Sequence, residues 1–267
     1  MRADANRIKG CLLGLAAGDR IGGPIQMALT LAESLVSCQG FDLEDIGERY
    51  LAWWRESGFD TGPTSARVFR LVAGGKTYPE AAEIIDHQLE GMTAGCNPLH
   101  RCPPLALSPQ IPDEDLLPAS QQEAQLTHYH PSAGEGSGLV TSLIRSLIKG
   151  RPWEESLLKA AREQPDWILS IAFSKIPPTS QGGYTPDVLK AALYFLQTAE
   201  DFPEALERSL EFAGPANYSP VLVGALAGAR WGEEGICQEI PDHNQRHLPT
   251  IEQLSEKLSR GWENLDV

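Results

Sequence analysis

Apolar residues recur along this chain at spacings of three and four, and each sustained stretch of that kind reads as a helix. Between residues 4 and 17, Ile8, Cys11, Leu12 and Leu15 fall on one face, while Gly10 and Gly14 leave room for tight packing. The run GDRIGG (18–23) breaks that helix. Pro24 opens a second one, with Met27, Leu31 and Leu35 on its stripe. A third helix is predicted over 41–57, carrying Tyr50, Trp53 and Trp54, a fourth over 64–73 and a fifth over 78–91. After residue 128 the pattern resumes at 134–149, 153–163, 167–174, 186–197, 202–212 and 251–258. Alternation of period two in β-branched residues never lasts four residues, so no strand is expected. No internal repeat of fixed period is present. The chain therefore reads as all-α: a compact multi-helix single domain over 1–267.

Two stretches depart from the amphipathic pattern. Residues 97–125 hold Pro98, Pro103, Pro104, Pro109, Pro112 and Pro118 with few periodic apolar positions. They read as a turn-rich, irregular connection containing one short helix around DEDLLPASQQEA. The other is SPVLVGALAGARW (219–231), which is apolar nearly all round until Arg230 and is expected to be a buried helix. Ser219 suits its N-cap and Pro220 its first turn, where a missing N–H costs no hydrogen bond. Gly224 and Gly228, four apart, let another backbone come close. The free N–H groups at the start of this helix, behind the loop 213–218, make a place where an anionic ligand is expected.

Composition narrows the function. The 267 residues carry 22 basic and 36 acidic side chains, a net charge of −14. Clustered Lys and Arg of the kind that bind phosphate backbones are absent, so nucleic acid is not an expected partner. No apolar run reaches membrane-spanning length and no signal-peptide segment is apparent, so a membrane is not expected either. The five cysteines, Cys11, Cys38, Cys96, Cys102 and Cys237, are scattered without a CxxC spacing. That suits reduced thiols and a cytoplasmic location.

Several segments together resemble the ADP-ribosylglycohydrolase family: GCLLGLAAGDRIG, QMALTLAESL, YLAWWRESGFDTGPTSA, LTHYHPSA, QGGYTPDVLKAALYFL and VGALAGARWG followed by IP. They occur in the family's order and span nearly the whole chain. The resemblance implies a compact all-α fold with a cleft holding two magnesium ions, which hold ADP-ribose and support its cleavage from a modified side chain. It also exposes two departures. Where the family has a Thr-Asp-Asp-Thr run of metal ligands, this chain has Gly22, Gly23, Pro24 and Ile25. Where the family has Gly-Gly-Asp-Thr-Asp-Thr, it has Ala213, Gly214, Pro215, Ala216, Asn217 and Tyr218. Two magnesium ions need several hard carboxylate ligands, and glycine and proline supply no side-chain oxygen. No metal ligand is assigned, and the magnesium pair is expected to be absent.

Asp60 keeps the acidic position of the SGFDTG segment, where the resemblance implies a place near the ribose, and it is the one candidate catalytic residue. It is equally suited to cap the helix that Pro63 and Thr64 begin. Asp60, Thr64, Arg101, His128, Asn217 and Tyr218 are the candidate ligand-binding residues. Each has a structural alternative: Arg101 a buried ion pair, His128 a structural hydrogen bond, Asn217 an Asx turn, Tyr218 a ring filling the space vacated by metals. His128 and His130 form an H-x-H pair without a third zinc ligand nearby. His243 and His247, bracketed by Pro241 and Pro249, read as a surface turn. Cys96, with His100 or His128 as base, would be a nucleophile only if its thiol pKa were lowered. The aromatic group Tyr50, Trp53, Trp54 and Phe59 reads as core packing.

Three functions stay open on the sequence. One is a pseudoenzyme that binds ADP-ribose, a related nucleotide or a protein partner. The second is an active ADP-ribosyl hydrolase with a non-standard or metal-free site. The third is a ligand-free interaction protein.

Overall fold

The computed structural model describes residues 3–162 and 164–263. Helices α1 (Ala5–Gly18), α2 (Gly23–Cys38), α3 (Leu43–Glu56), α4 (Pro63–Ala73) and α5 (Tyr78–Gln88) come first. Then come α6 (Asn97–Arg101), α7 (Pro103–Leu107), α8 (Leu116–Gln125) and α9 (Pro131–Ile148). The remainder is α10 (Trp153–Ala161), α11 (Asp166–Ala172), α12 (Thr185–Thr198), α13 (Phe202–Ala213), α14 (Ser219–Trp231), α15 (Asp242–Gln245) and α16 (Leu248–Glu263). Among the described residues there is no strand; Gly95 and Tyr184 form an isolated antiparallel bridge. The all-α expectation holds. Glu163, placed at the end of a helix by the sequence pattern, lies outside the described residues.

Glycines set the centre of the fold. A Cβ on Gly14 would lie 2.0 Å from the Gly224 carbonyl oxygen, and one on Gly224 would lie 1.9 Å from that of Gly14. Gly10 faces Gly228 in the same way, and Gly18 faces Pro220. Because the partner number falls as the other rises, α1 and α14 run antiparallel with their backbones in contact. The small residues whose spacing invited a close neighbour are thus each other's neighbours. Both helices are buried almost along their whole length, so water reaches neither seam. This pairing has a functional consequence: it brings the C-terminal end of α1 against the N-terminal end of α14.

The segment 97–125 is corrected by the structure. It is largely helical, and the prolines that signalled an irregular connection start the helices. Pro98 and the Pro103–Pro104 pair occupy the first positions of α6 and α7, where no backbone hydrogen bond is forfeited. Pro118 stands in the first turn of α8. Residues 98–108 are buried throughout, packed with α2 and α9, and so belong to the core. A second correction concerns α14. Its flanking residue is Tyr218, in an irregular conformation with no side-chain cap, and Ser219 is already helical.

Candidate functional site

Asp19 leaves the end of α1 fully buried, and its carboxylate turns to the start of α2. Oδ1 accepts from the backbone N–H of Ile21 at 3.2 Å and of Gly22 at 2.7 Å, and Oδ2 accepts from that of Ile25 at 2.8 Å. A carboxylate placed on the free N–H groups and positive end of a helix is favourable. Asn217, in the loop before α14, donates from Nδ2 to Asp19 Oδ1 at 2.8 Å and to Asp60 Oδ2 at 2.9 Å. One neutral amide therefore joins two carboxylates from distant parts of the chain. Its Oδ1 accepts from the Arg20 backbone N–H at 3.0 Å, and Arg20 Nη1 donates to the Gly214 carbonyl at 2.7 Å.

Asp60 sits in a left-handed conformation (φ 52°) and is half-buried, so one side of the cluster meets solvent. Burial raises the pKa of both acids from their ordinary value. For Asp60 the Asn217 hydrogen bond opposes this and the charge of Asp19 adds to it; for Asp19 the helix N–H groups and Asn217 oppose it. Asn244 of α15 closes the other side. Buried completely, it donates to the carbonyls of Ala16 and Asp19 at 3.0 and 2.6 Å. Beside Asp19, Asp60 and Asn217 in the chain stand three exposed large side chains, Ile21, Phe59 and Tyr218. The Phe59 ring lies against Gly22, and the Tyr218 ring lies over Gly183.

The remaining candidates separate. Thr64 is in the first turn of α4, close in sequence to Asp60 and nearly buried. Arg101 is not at the cluster. Completely buried, it pairs with Glu123 (Nε to Oε1, 2.5 Å), donates to Thr127 Oγ1 at 2.9 Å and lies over the Tyr50 ring. Its donors are directed to protein groups, which contradicts a ligand-binding place for it. His128 is likewise enclosed, with Nδ1 2.9 Å from Thr127 Oγ1, and burial together with Arg101 pushes its pKa down to about 3. His130 caps α9 by accepting from the Ser132 N–H, so the H-x-H pair faces two different environments. Burial pushes the Cys96 thiol up to about 12 and holds His100 down to about 4, which removes the thiolate and leaves a neutral imidazole. Tyr218 is 38% exposed, and its ring rests on Gly183 instead of filling the space between the acids. Phe59, 37% exposed, stands at the rim and outside the core expected of its aromatic group.

Asp19 and Asn244 were not among the expected site residues. Asp19 carried a readable signal, an acid three positions before the Gly22–Gly23–Pro24 run at the opening of α2. Asn244 carried none, because only the tertiary fold brings residue 244 to residues 16 and 19.

The donor set does not fit a pair of magnesium ions. Asp19 already accepts four hydrogen bonds from protein donors, three of them at Oδ1. The group between the two acids is an N–H donor, which cannot ligate a cation. Nor does the backbone leave room for the missing acids: a Cβ on Gly23 would lie 2.7 Å from Asp60 Cβ. Among the described residues no three His, Cys, Asp or Glu side chains converge on a metal position.

Comparison with known proteins agrees with the fold and its connectivity. Over 271 residues the chain is 26% identical to the ADP-ribosyl-(dinitrogen reductase) glycohydrolase of Rhodospirillum rubrum, spanning 86% of this chain and 87% of that protein. It is 22% identical over 272 residues to the ADP-ribosylarginine hydrolase Tri1 of Serratia proteamaculans (strain 568), spanning 86% of this chain and 73% of that one. A solved chain of an ADP-ribosylglycohydrolase-related protein complex superimposes with a TM-score of 0.77 at 28% identity, covering 97% of this chain and 98% of its own. The family model of ADP-ribosylglycohydrolase matches residues 25–266, and the chain belongs to that family.

Proposed function

We propose that this chain has lost magnesium-dependent hydrolysis and works as a binding or regulatory pseudoenzyme whose ligand is ADP-ribose or a related nucleotide. The observation that carries this reading is the Asn217 amide held between Asp19 and Asp60. A hydrolase of this family would use cations at its acids as Lewis acids and substrate anchors. Here the acids are occupied by protein donors, while the helical scaffold and an apolar, aromatic rim persist around them. A few convergent polar groups beside exposed apolar and aromatic side chains suit a small ligand. A protein partner presenting a modified side chain would approach the same face. The five free cysteines and the lack, among the described residues, of a helix able to cross a membrane support the proposal of a cytoplasmic location.

One observation favours the second reading, hydrolysis without metal: Asp60 is solvent-facing and its pKa is raised, as in a general acid. Glycoside cleavage by carboxyl groups needs a second one able to reach the reaction, and Asp19 is sealed under its four donors. The pseudoenzyme reading is therefore stronger. Titration calorimetry with ADP-ribose tests it. Binding heat in chelator, unchanged by added magnesium, is expected. No heat in either condition would leave the ligand-free interaction protein. Release of ADP-ribose from modified arginine, abolished by Asp60→Ala, would establish the hydrolase.

A further inference from the structure

We infer that the Asn217 side chain is this chain's own replacement for a bridging cation: it holds Asp19 and Asp60 together and makes the architecture of the site independent of divalent metal.

The orientation of the amide is fixed by all its partners at once. Nδ2 carries two hydrogens and meets two carboxylate oxygens, while Oδ1 meets the backbone N–H of Arg20. Rotated by half a turn, the amide would set an oxygen against two carboxylates and its hydrogens against an N–H. Only an amide fills this position. An aspartate would bring a third acceptor to two acids, and an aliphatic residue would leave both without this donor.

The same side chain joins two loops. Residues 19–22 arrive from α1, residues 214–217 lead into α14, and Arg20 adds a second stitch to the Gly214 carbonyl. A cation between carboxylates does this work by charge; the amide does it by donating to both acids and accepting from the Arg20 N–H. Its attachment is reinforced from α2, because Gly23 lies so close to Asp60 that no side chain fits there. Gly22 next to it has φ 108°, a conformation that favours glycine. The two glycines where the family carries metal-binding side chains thus belong to the same rearrangement as Asn217. They let the start of α2 close on Asp60 while the amide bridges the two acids by hydrogen bonds.

The inference concerns the unliganded protein and stands apart from nucleotide binding, so either can fail alone. Thermal unfolding of the wild type, Asn217→Ala and Asn217→Asp in chelator, then in magnesium or manganese chloride, tests it. The wild-type midpoint is expected to be the same in both. Asn217→Ala is expected to unfold about 5–10 °C lower, with no recovery on adding cation. Asn217→Asp, which brings three carboxylates together, is expected to be destabilised in chelator. A cation at about 100 times its Kd should raise its midpoint by about 5–10 °C. A wild-type midpoint that rises with magnesium would overturn the inference. So would an Asn217→Asp variant as stable as wild type in chelator. If Asn217→Asp does not fold in chelator, its expression and purification in manganese provides the test: recovery of folded protein there supports the inference, and failure in both overturns it.

Discussion

Two buried polar centres lie in this molecule, and they are built on opposite principles. At the first, Arg101 meets Glu123 inside the core, with Tyr50 donating to the same carboxylate oxygen at 2.8 Å and Thr127 taking another guanidinium N–H. Charge is matched and the centre is sealed. At the second, Asp19 and Asp60 face one another across a neutral amide, with no salt bridge to either acid among the described residues and with Asp60 opening to solvent. Structural ion pairs in a core are closed to water and balanced in charge. Among the described residues, the second centre keeps two acids without an ionic partner, one of them open to solvent. The difference separates a closed ion pair at Arg101 from an open acid cluster at Asp60, two residues grouped by the sequence as candidate ligand-binding side chains.

Breaking the first centre should cost most. Arg101→Met strands Glu123 as an unpaired buried charge and is expected to lower stability by about 3–5 kcal/mol in denaturant unfolding. The double variant with Glu123→Gln should regain much of that loss, because the stranded charge goes with it. Equal losses in single and double variants would show that packing, and not charge matching, holds this centre.

The pH dependence sharpens the comparison, since the two centres respond with opposite sign. His128, beside Arg101, has a folded pKa pushed below its ordinary 6.5 to about 3. The folded state then binds fewer protons than the unfolded one, so His128 costs stability as pH falls from 6.5 towards 3, by up to about 1.4 kcal/mol per pH unit. Asp19 and Asp60 have folded pKa values raised above the ordinary carboxylate value. Their contribution is fully present below that ordinary value and is lost as pH rises through the raised one. His128→Gln should flatten the acid limb of a stability-against-pH curve, and Asp19→Asn should flatten the loss on the rising side. A curve unchanged in either variant would contradict the assignment of that residue.

The smallest effect belongs to the rim. Tyr218→Ala removes an exposed ring that rests on Gly183, and unfolding should move by no more than about 0.5 kcal/mol. Its effect should be on ADP-ribose affinity instead, read by calorimetry.

How much of this was readable beforehand depends on the range of the interaction. Gly10, Gly14, Gly224 and Gly228 announced a close backbone contact because their spacing is a local property of each helix, and only their mutual pairing had to come from the fold. The prolines of 97–125 misled because the same residue ends one helix and begins the next, and α6 and α7 use it for the second purpose. An anion was expected at the start of α14. The protein's own Asp19 carboxylate lies at the start of α2, accepting from the Ile25 N–H six positions on. Asn217 was visible as the residue left standing in a stripped metal motif. That its amide would bridge Asp19 and Asp60 was not, because each lies more than 150 residues away in sequence.

The central claim is that these acids are satisfied by protein donors and do not collect divalent ions. Paramagnetic resonance of manganese added to the purified wild-type protein measures this directly, since bound and free ion give different signals. The account predicts that the signal remains that of the free ion as protein is added. Stoichiometric binding that disappears in Asp60→Asn would contradict it.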